Sequence, residues 1–158
     1  MSGGGGSPRT PWHVCFVVTD VEAAAREFTD GLGVSWGEVT EYDEIIQDAD
    51  GASLRLATRG VFSRETPLAI ELMEPVAGTP FVQRGDSPFH HIAYWTEDVD
   101  AETQRLDQLS LPCLALAGSA AGQPRAFHEG PYGVLLEACG VSAPPPGMEQ
   151  FLPKGIRL

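Results

Sequence analysis

Two histidines and two glutamates carry the chemistry that this sequence can support. His13 opens the apolar run WHVCFVV and His91 opens HIAYW, while Glu71 interrupts LAIELM and Glu137 interrupts VLLEAC. The spacing is that of a duplicated unit: His13 and His91 are 78 residues apart, as are Asp20 and Asp98 behind them. Glu71 and Glu137 are 66 residues apart, the difference a trimmed loop makes, because loops tolerate deletion better than the elements they join. Two imidazoles and two carboxylates form a nitrogen–oxygen donor set for one divalent transition metal (Ni, Co, Mn, Zn or Fe), and ligand type alone does not choose among these. Such an ion, with two positions left open, polarises adjacent oxygens of a substrate and stabilises the charge formed when a carbon-bound proton leaves. His13, Glu71, His91 and Glu137 are therefore read as metal ligands.

The elements that must position these residues follow in two similar rounds. Residues 12–18 are β-branched and apolar and predict a buried strand. Thr19 or Asp20 caps a helix ending at Gly31 or Gly33. Strands are predicted over 32–42, 52–58 and 67–74, with a turn at 48–51. A strand over 89–95 opens the second round, followed by a helix from about Asp98 to Leu109 and strands near 113–117, 125–128 and 134–139. The domain reading is a disordered tail over 1–10, a first β-α-β-β-β module over 11–74, a Pro/Gly-rich linker over 75–87, a second module over 88–139 and a proline-rich tail over 140–158. That last segment is expected to wrap the surface or a partner subunit.

Alternation then sets directions. Residues two apart on a strand share a face, so His13 travels with Cys15, His91 with Trp95, Glu71 with Met73 and Glu137 with Cys139. Cys15, Met73, Trp95 and Cys139 are accordingly read as substrate-contacting. A buried carboxylate without a partner is costly, and two on one face repel each other; a cation resolves both problems. His90 is expected to face away by the same alternation. His128 is expected on an exposed edge. Glu41, Asp43 and Glu44 are expected in a solvated loop.

Composition narrows the partners. The net charge of −12 argues against nucleic acid and anionic membranes, and Lys154 is the only lysine. No apolar run approaches the roughly 20 residues of a membrane span, and MSGGGGSPRT lacks a signal-peptide core. Three cysteines, an odd number without metal-knuckle spacing, predict a reduced, cytoplasmic setting. What remains is a small-molecule substrate.

At His13, Glu71, His91 and Glu137 the chain resembles the vicinal oxygen chelate superfamily, which includes glyoxalase I, methylmalonyl-CoA epimerase, extradiol dioxygenases and bleomycin-resistance proteins. IELMEP (70–75) and HHIAY (90–94) resemble its epimerase-like branch. The resemblance implies an α+β fold of two βαβββ modules forming a curved mixed sheet around a metal-binding cup, with helices on the outside and a homodimer as assembly. It also implies a departure: Leu54 falls at or near the position of the epimerases' catalytic glutamate, and Glu71 where a glutamine is common. The activity the resemblance implies is that of a metal-dependent isomerase, epimerase or lyase, with Glu71 or Glu137 as the catalytic residue that leaves the metal to carry the proton, as in glyoxalase-like members. An Fe(II) dioxygenase built on His13, His91 and Glu137, or a ligand-sequestering resistance protein, are the alternatives.

Overall fold

The computed structural model describes residues 9–118, 121–142 and 144–155. The expected disorder of the N-terminal tail falls largely outside them. The order β1 (Pro11–Val17), α1 (Val21–Leu32), β2 (Thr40–Asp48), β3 (Ser53–Phe62), β4 (Ala69–Met73) recurs as β5 (Phe89–Thr96), α2 (Val99–Gln108), β6 (Cys113–Ala117), β7 (Arg125–Glu129), β8 (Leu135–Gly140). The eight strands close into one ring in the order β1-β4-β3-β2-β6-β7-β8-β5, mixing parallel and antiparallel pairs. No helix among the described residues is long and apolar enough to cross a membrane.

Both helices begin as an acid cap requires. Asp20 Oδ1 accepts from the Ala23 N–H at 2.8 Å and Asp98 Oδ1 from the Ala101 N–H at 2.9 Å, each satisfying an otherwise orphaned first-turn donor. Gly33, at φ 71°, takes the left-handed conformation that ends α1. Helix α1 then packs through Val21 on Val61 and Leu72.

Sequence reasoning misplaces one strand. The stretch 34–39 is not in the main sheet, and β2 lies further on, over EYDEIIQD. Trp36 is the cause: its indole N–H donates to the Ala25 carbonyl and the Thr29 hydroxyl, both 3.0 Å away, so the apolar residue that suggested a strand packs on α1 instead. Strand β3 is correspondingly longer than expected.

The register obeys the duplication. Across the antiparallel seam of β1 and β5, His13 pairs with Ala93 and Cys15 with His91. On the parallel flanks Cys15 pairs with Glu71 and Ala93 with Glu137. Each pairing maps onto the other when the two units are exchanged. The four polar side chains thus occupy two adjacent rows, separated by small, fully buried residues: Cys15, Ala69 and Ala93. Those small side chains leave the room into which the larger polar ones converge.

Candidate metal centre

His13, Glu71, His91 and Glu137 meet in the interior of the ring. His13 Nε2 lies 3.2 Å from Glu71 Oε2, 3.1 Å from Glu137 Oε2 and 3.0 Å from His91 Nε2. His91 Nε2 lies 3.3 Å from Glu71 Oε2 and 3.1 Å from Glu137 Oε2. His13, His91 and Glu137 are buried, and Glu71 is partly so, with its side chain 13% exposed. The His13 ring is held edge-on against Trp12 and Phe62, and His91 against Phe127.

These contacts satisfy one another only in part: the two Nε2 atoms share a hydrogen bond, and Glu137 is left out. Glu137 Oε2 has no hydrogen-bond partner despite two nitrogens near 3.1 Å, so its lone pairs are not aimed along those lines. Donor atoms close together and only partly aligned leave lone pairs that a cation between them could take up. Ligands at right angles on an ion with bonds of about 2.1 Å stand about 3 Å apart, which is the spacing observed here. The residues therefore fit a divalent cation.

The electrostatics agree. Burial alone pushes the Glu71 and Glu137 carboxyls up, but the pull of His13 and His91 more than reverses it, holding both well below the usual carboxylate range. Burial pushes His91 down and the two carboxylates outweigh it, raising the imidazole to about 9. Both carboxylates are thus ionised, the form that binds a cation. A second cluster, Cys15, His90 and His91, also brings three donor atoms within 4.8 Å of one another. It is the poorer candidate. The Nδ1 atoms of its two histidines are 2.8 Å apart and occupied with each other, and burial keeps the Cys15 thiol protonated.

The quartet lines a cavity of about 660 Å³. Met73, Trp95 and Cys139 also line it, as do Trp12, Phe62 and Tyr42. Cys15 does not: it is fully buried on β1, in register between Glu71 of β4 and His91 of β5. Burial pushes the Cys139 thiol well up, leaving a neutral wall residue.

Three features escaped sequence reasoning. Glu44 is in β2 rather than a solvated loop, and its carboxylate accepts from the Arg125 guanidinium across the cavity wall. Only its alternation with Tyr42 and Ile46 hinted at this. The C-terminal segment adds Pro145, Gly147 and Met148 to the lining, and Phe151 is buried against Trp12 and Trp95. Finally, His90 does not face away. Cys15 pairs with His91 but the next residue, Phe16, pairs with Phe89, so β5 carries one extra residue at this point. The bulge interrupts alternation and turns His90 toward His91.

A family model described as the glyoxalase/bleomycin resistance protein/dioxygenase superfamily matches residues 12–127. The chain belongs to that superfamily. Its solved structural neighbours include a methylmalonyl-CoA epimerase in complex with methylmalonyl-CoA and ammonium, 18% identical at a TM-score of 0.60 over 87% of this chain and 97% of that one. A hypothetical protein from Bacillus halodurans is 19% identical at 0.62, over 88% and 99%. The methylmalonyl-CoA epimerase of Mycobacterium tuberculosis is 21% identical at 0.58, over 85% and 88%. At these identities the likeness is one of fold. No curated protein matches the chain.

Proposed function

We propose that this superfamily member is a divalent-metal-dependent enzyme that moves a proton on a small oxygenated metabolite, in the manner of an isomerase, epimerase or lyase. The observation that carries the reading is the meeting of His13, Glu71, His91 and Glu137 around one point, with Glu137 Oε2 buried and unpartnered. When bound there, the cation supplies Lewis acidity toward adjacent substrate oxygens. Holding it is the task of the two imidazoles and Glu137.

Glu71 is the base in this reading. It is the most exposed of the four and lines the cavity, so its carboxylate has the readiest access to a substrate carbon. No carboxylate from β3 competes for that role. Leu54 packs into the apolar cluster around Leu56 and Met73, and β3 adds Leu56, Thr58, Val61 and Phe62 to the wall, none of them acidic. Trp12 and Trp95, stacked with centroids 4.5 Å apart, form an apolar wall that excludes water from the reacting carbon.

A compact substrate is favoured over a coenzyme A ester. Glu38, Glu41 and Asp43 line the cavity, and a chain of net charge −12 opposes a ligand bearing several phosphates. The reading is tested by incubating metal-loaded protein in deuterium oxide with a panel of α-hydroxy ketones and 2-oxo acids. Deuterium entering the carbon next to a carbonyl, and failing to do so with Glu71→Gln, is the expected result. Metal-loaded protein that exchanges no proton on any of them, or that consumes oxygen with iron, contradicts it.

A further inference from the structure

We infer that His90 is a positioning residue which fixes the tautomer of His91, through a proton chain that begins at a backbone carbonyl in the segment joining the two halves of the molecule. The inference rests on the metal-site reading above. His90 Nε2 lies 2.9 Å from the carbonyl oxygen of Pro80, which can only accept, so that nitrogen carries the proton. Neutral His90 then has its lone pair on Nδ1, 2.8 Å from His91 Nδ1. His91 must donate across that contact. The proton is thereby held on His91 Nδ1, and Nε2, the atom that faces Glu71, Glu137 and His13, is the one left to present a lone pair to a cation.

Each link in the chain is buried and fixed. His90 and His91 are 1% and 2% exposed, and His90 stacks on Phe81 with centroids 5.7 Å apart. Phe81 anchors the segment in the core, and its carbonyl accepts from the Val76 N–H at 2.8 Å, closing the loop that presents Pro80. The bulge in β5 is what brings His90 to this side; without the extra residue it points elsewhere and the chain is broken.

The duplicated half has no such device. Trp12 occupies the place corresponding to His90, one residue before His13, and its ring lies edge-on to His13 with centroids 4.1 Å apart. His13 Nδ1 is buried without a hydrogen-bond partner. The two imidazoles are therefore unequal: His91 Nδ1 is tied by a hydrogen bond, whereas His13 is held by ring packing alone on its Nδ1 side. A purely ancestral or packing role for His90 does not account for this difference.

The test uses His90→Phe, which keeps the stack on Phe81 but removes both polar links, and His90→Gln, whose amide can donate to Pro80 and accept from His91. Zinc and nickel affinity is measured by competition with a chromophoric chelator, and histidine tautomers by ¹⁵N-correlated NMR of wild-type protein with and without metal. Expected are His90 protonated at Nε2 throughout and, with metal bound, His91 protonated at Nδ1 alone, a 10- to 100-fold weaker metal affinity in His90→Phe, and recovery of most of it in His90→Gln. Wild-type affinity in His90→Phe, or His91 protonated at Nε2 alone, overturns the inference. If wild-type protein binds neither metal, the metal-site reading fails, and the tautomer of His90 in the metal-free protein still decides whether the chain exists.

Discussion

His13 and His91, 78 residues apart in the chain, place their Nε2 atoms 3.0 Å from each other in the closed ring of strands. Two imidazoles held nitrogen to nitrogen between two ionised carboxylates are the arrangement on which the proposed cation site rests. What makes the approach possible is the row of small residues between them.

Ala93 is the most sensitive of these. It pairs with His13 on one side and Glu137 on the other and is fully buried. Ala93→Leu is expected to push one ligand out of place and to cost about 1–3 kcal/mol of stability through overpacking. Metal content of the purified variant, read beside its urea unfolding midpoint, checks this. A variant that keeps its metal and its midpoint removes the argument from spacing.

The C-terminal segment is expected to be part of the cavity wall rather than a loose tail. Phe151 is buried against the stacked indoles of Trp12 and Trp95, and the Trp95 indole N–H donates to its carbonyl at 2.9 Å. Phe151→Ala should lower stability by about 3 kcal/mol and expose Trp95, shifting tryptophan fluorescence to longer wavelength. Unchanged fluorescence and melting temperature would show that the segment contributes nothing to the fold.

How far the sequence could be read follows from which interactions are periodic. The meeting of His13, Glu71, His91 and Glu137 was legible because a duplicated unit repeats its polar positions, and the register of β1 with β5 preserves the exchange of the two halves. Strand β2 was hidden because acids occupy both its faces, and Glu44 is inward only because Arg125 from a distant strand meets it. His90 was misassigned because alternation assumes an unbroken strand, and a one-residue bulge leaves no mark in composition. His128 was expected on an exposed edge. It is fully buried, since β7 lies between β6 and β8 and packs on α2, with His128 Nδ1–H donating to the Leu111 carbonyl at 2.7 Å. An open sheet has edges; closure of the ring removed this one.

A pH dependence away from the cavity is expected from Glu102. Its carboxylate, 3% exposed, accepts from Arg105, from Arg9 at 2.7 Å and from the Tyr94 hydroxyl at 2.8 Å. Arg105 foremost, then Arg9 and Tyr94, outweigh burial and lower the carboxyl to about 2. A carboxyl lowered on folding contributes stability in full above its unfolded value of about 4.3; the contribution fades as pH falls toward 2. The stability difference between wild type and Glu102→Gln should be constant above about pH 5 and shrink below it. Tyr94→Phe should cost about 1.5–3 kcal/mol at neutral pH, the range for a hydrogen bond to a charged group. A wild-type-minus-variant difference that does not change between pH 6 and 3 contradicts the assignment.

The claim on which the account turns is that four side chains from two halves of the chain hold one cation. Elemental analysis of protein prepared without a histidine tag, as wild type and as His13→Ala and Glu137→Gln, tests it most directly. About one divalent transition-metal ion per chain in the wild type, reduced at least tenfold in both variants while their circular dichroism spectra are unchanged, is the result expected. Folded wild-type protein that takes up no such ion when the candidate metals are supplied, or variants that retain it, would contradict the account.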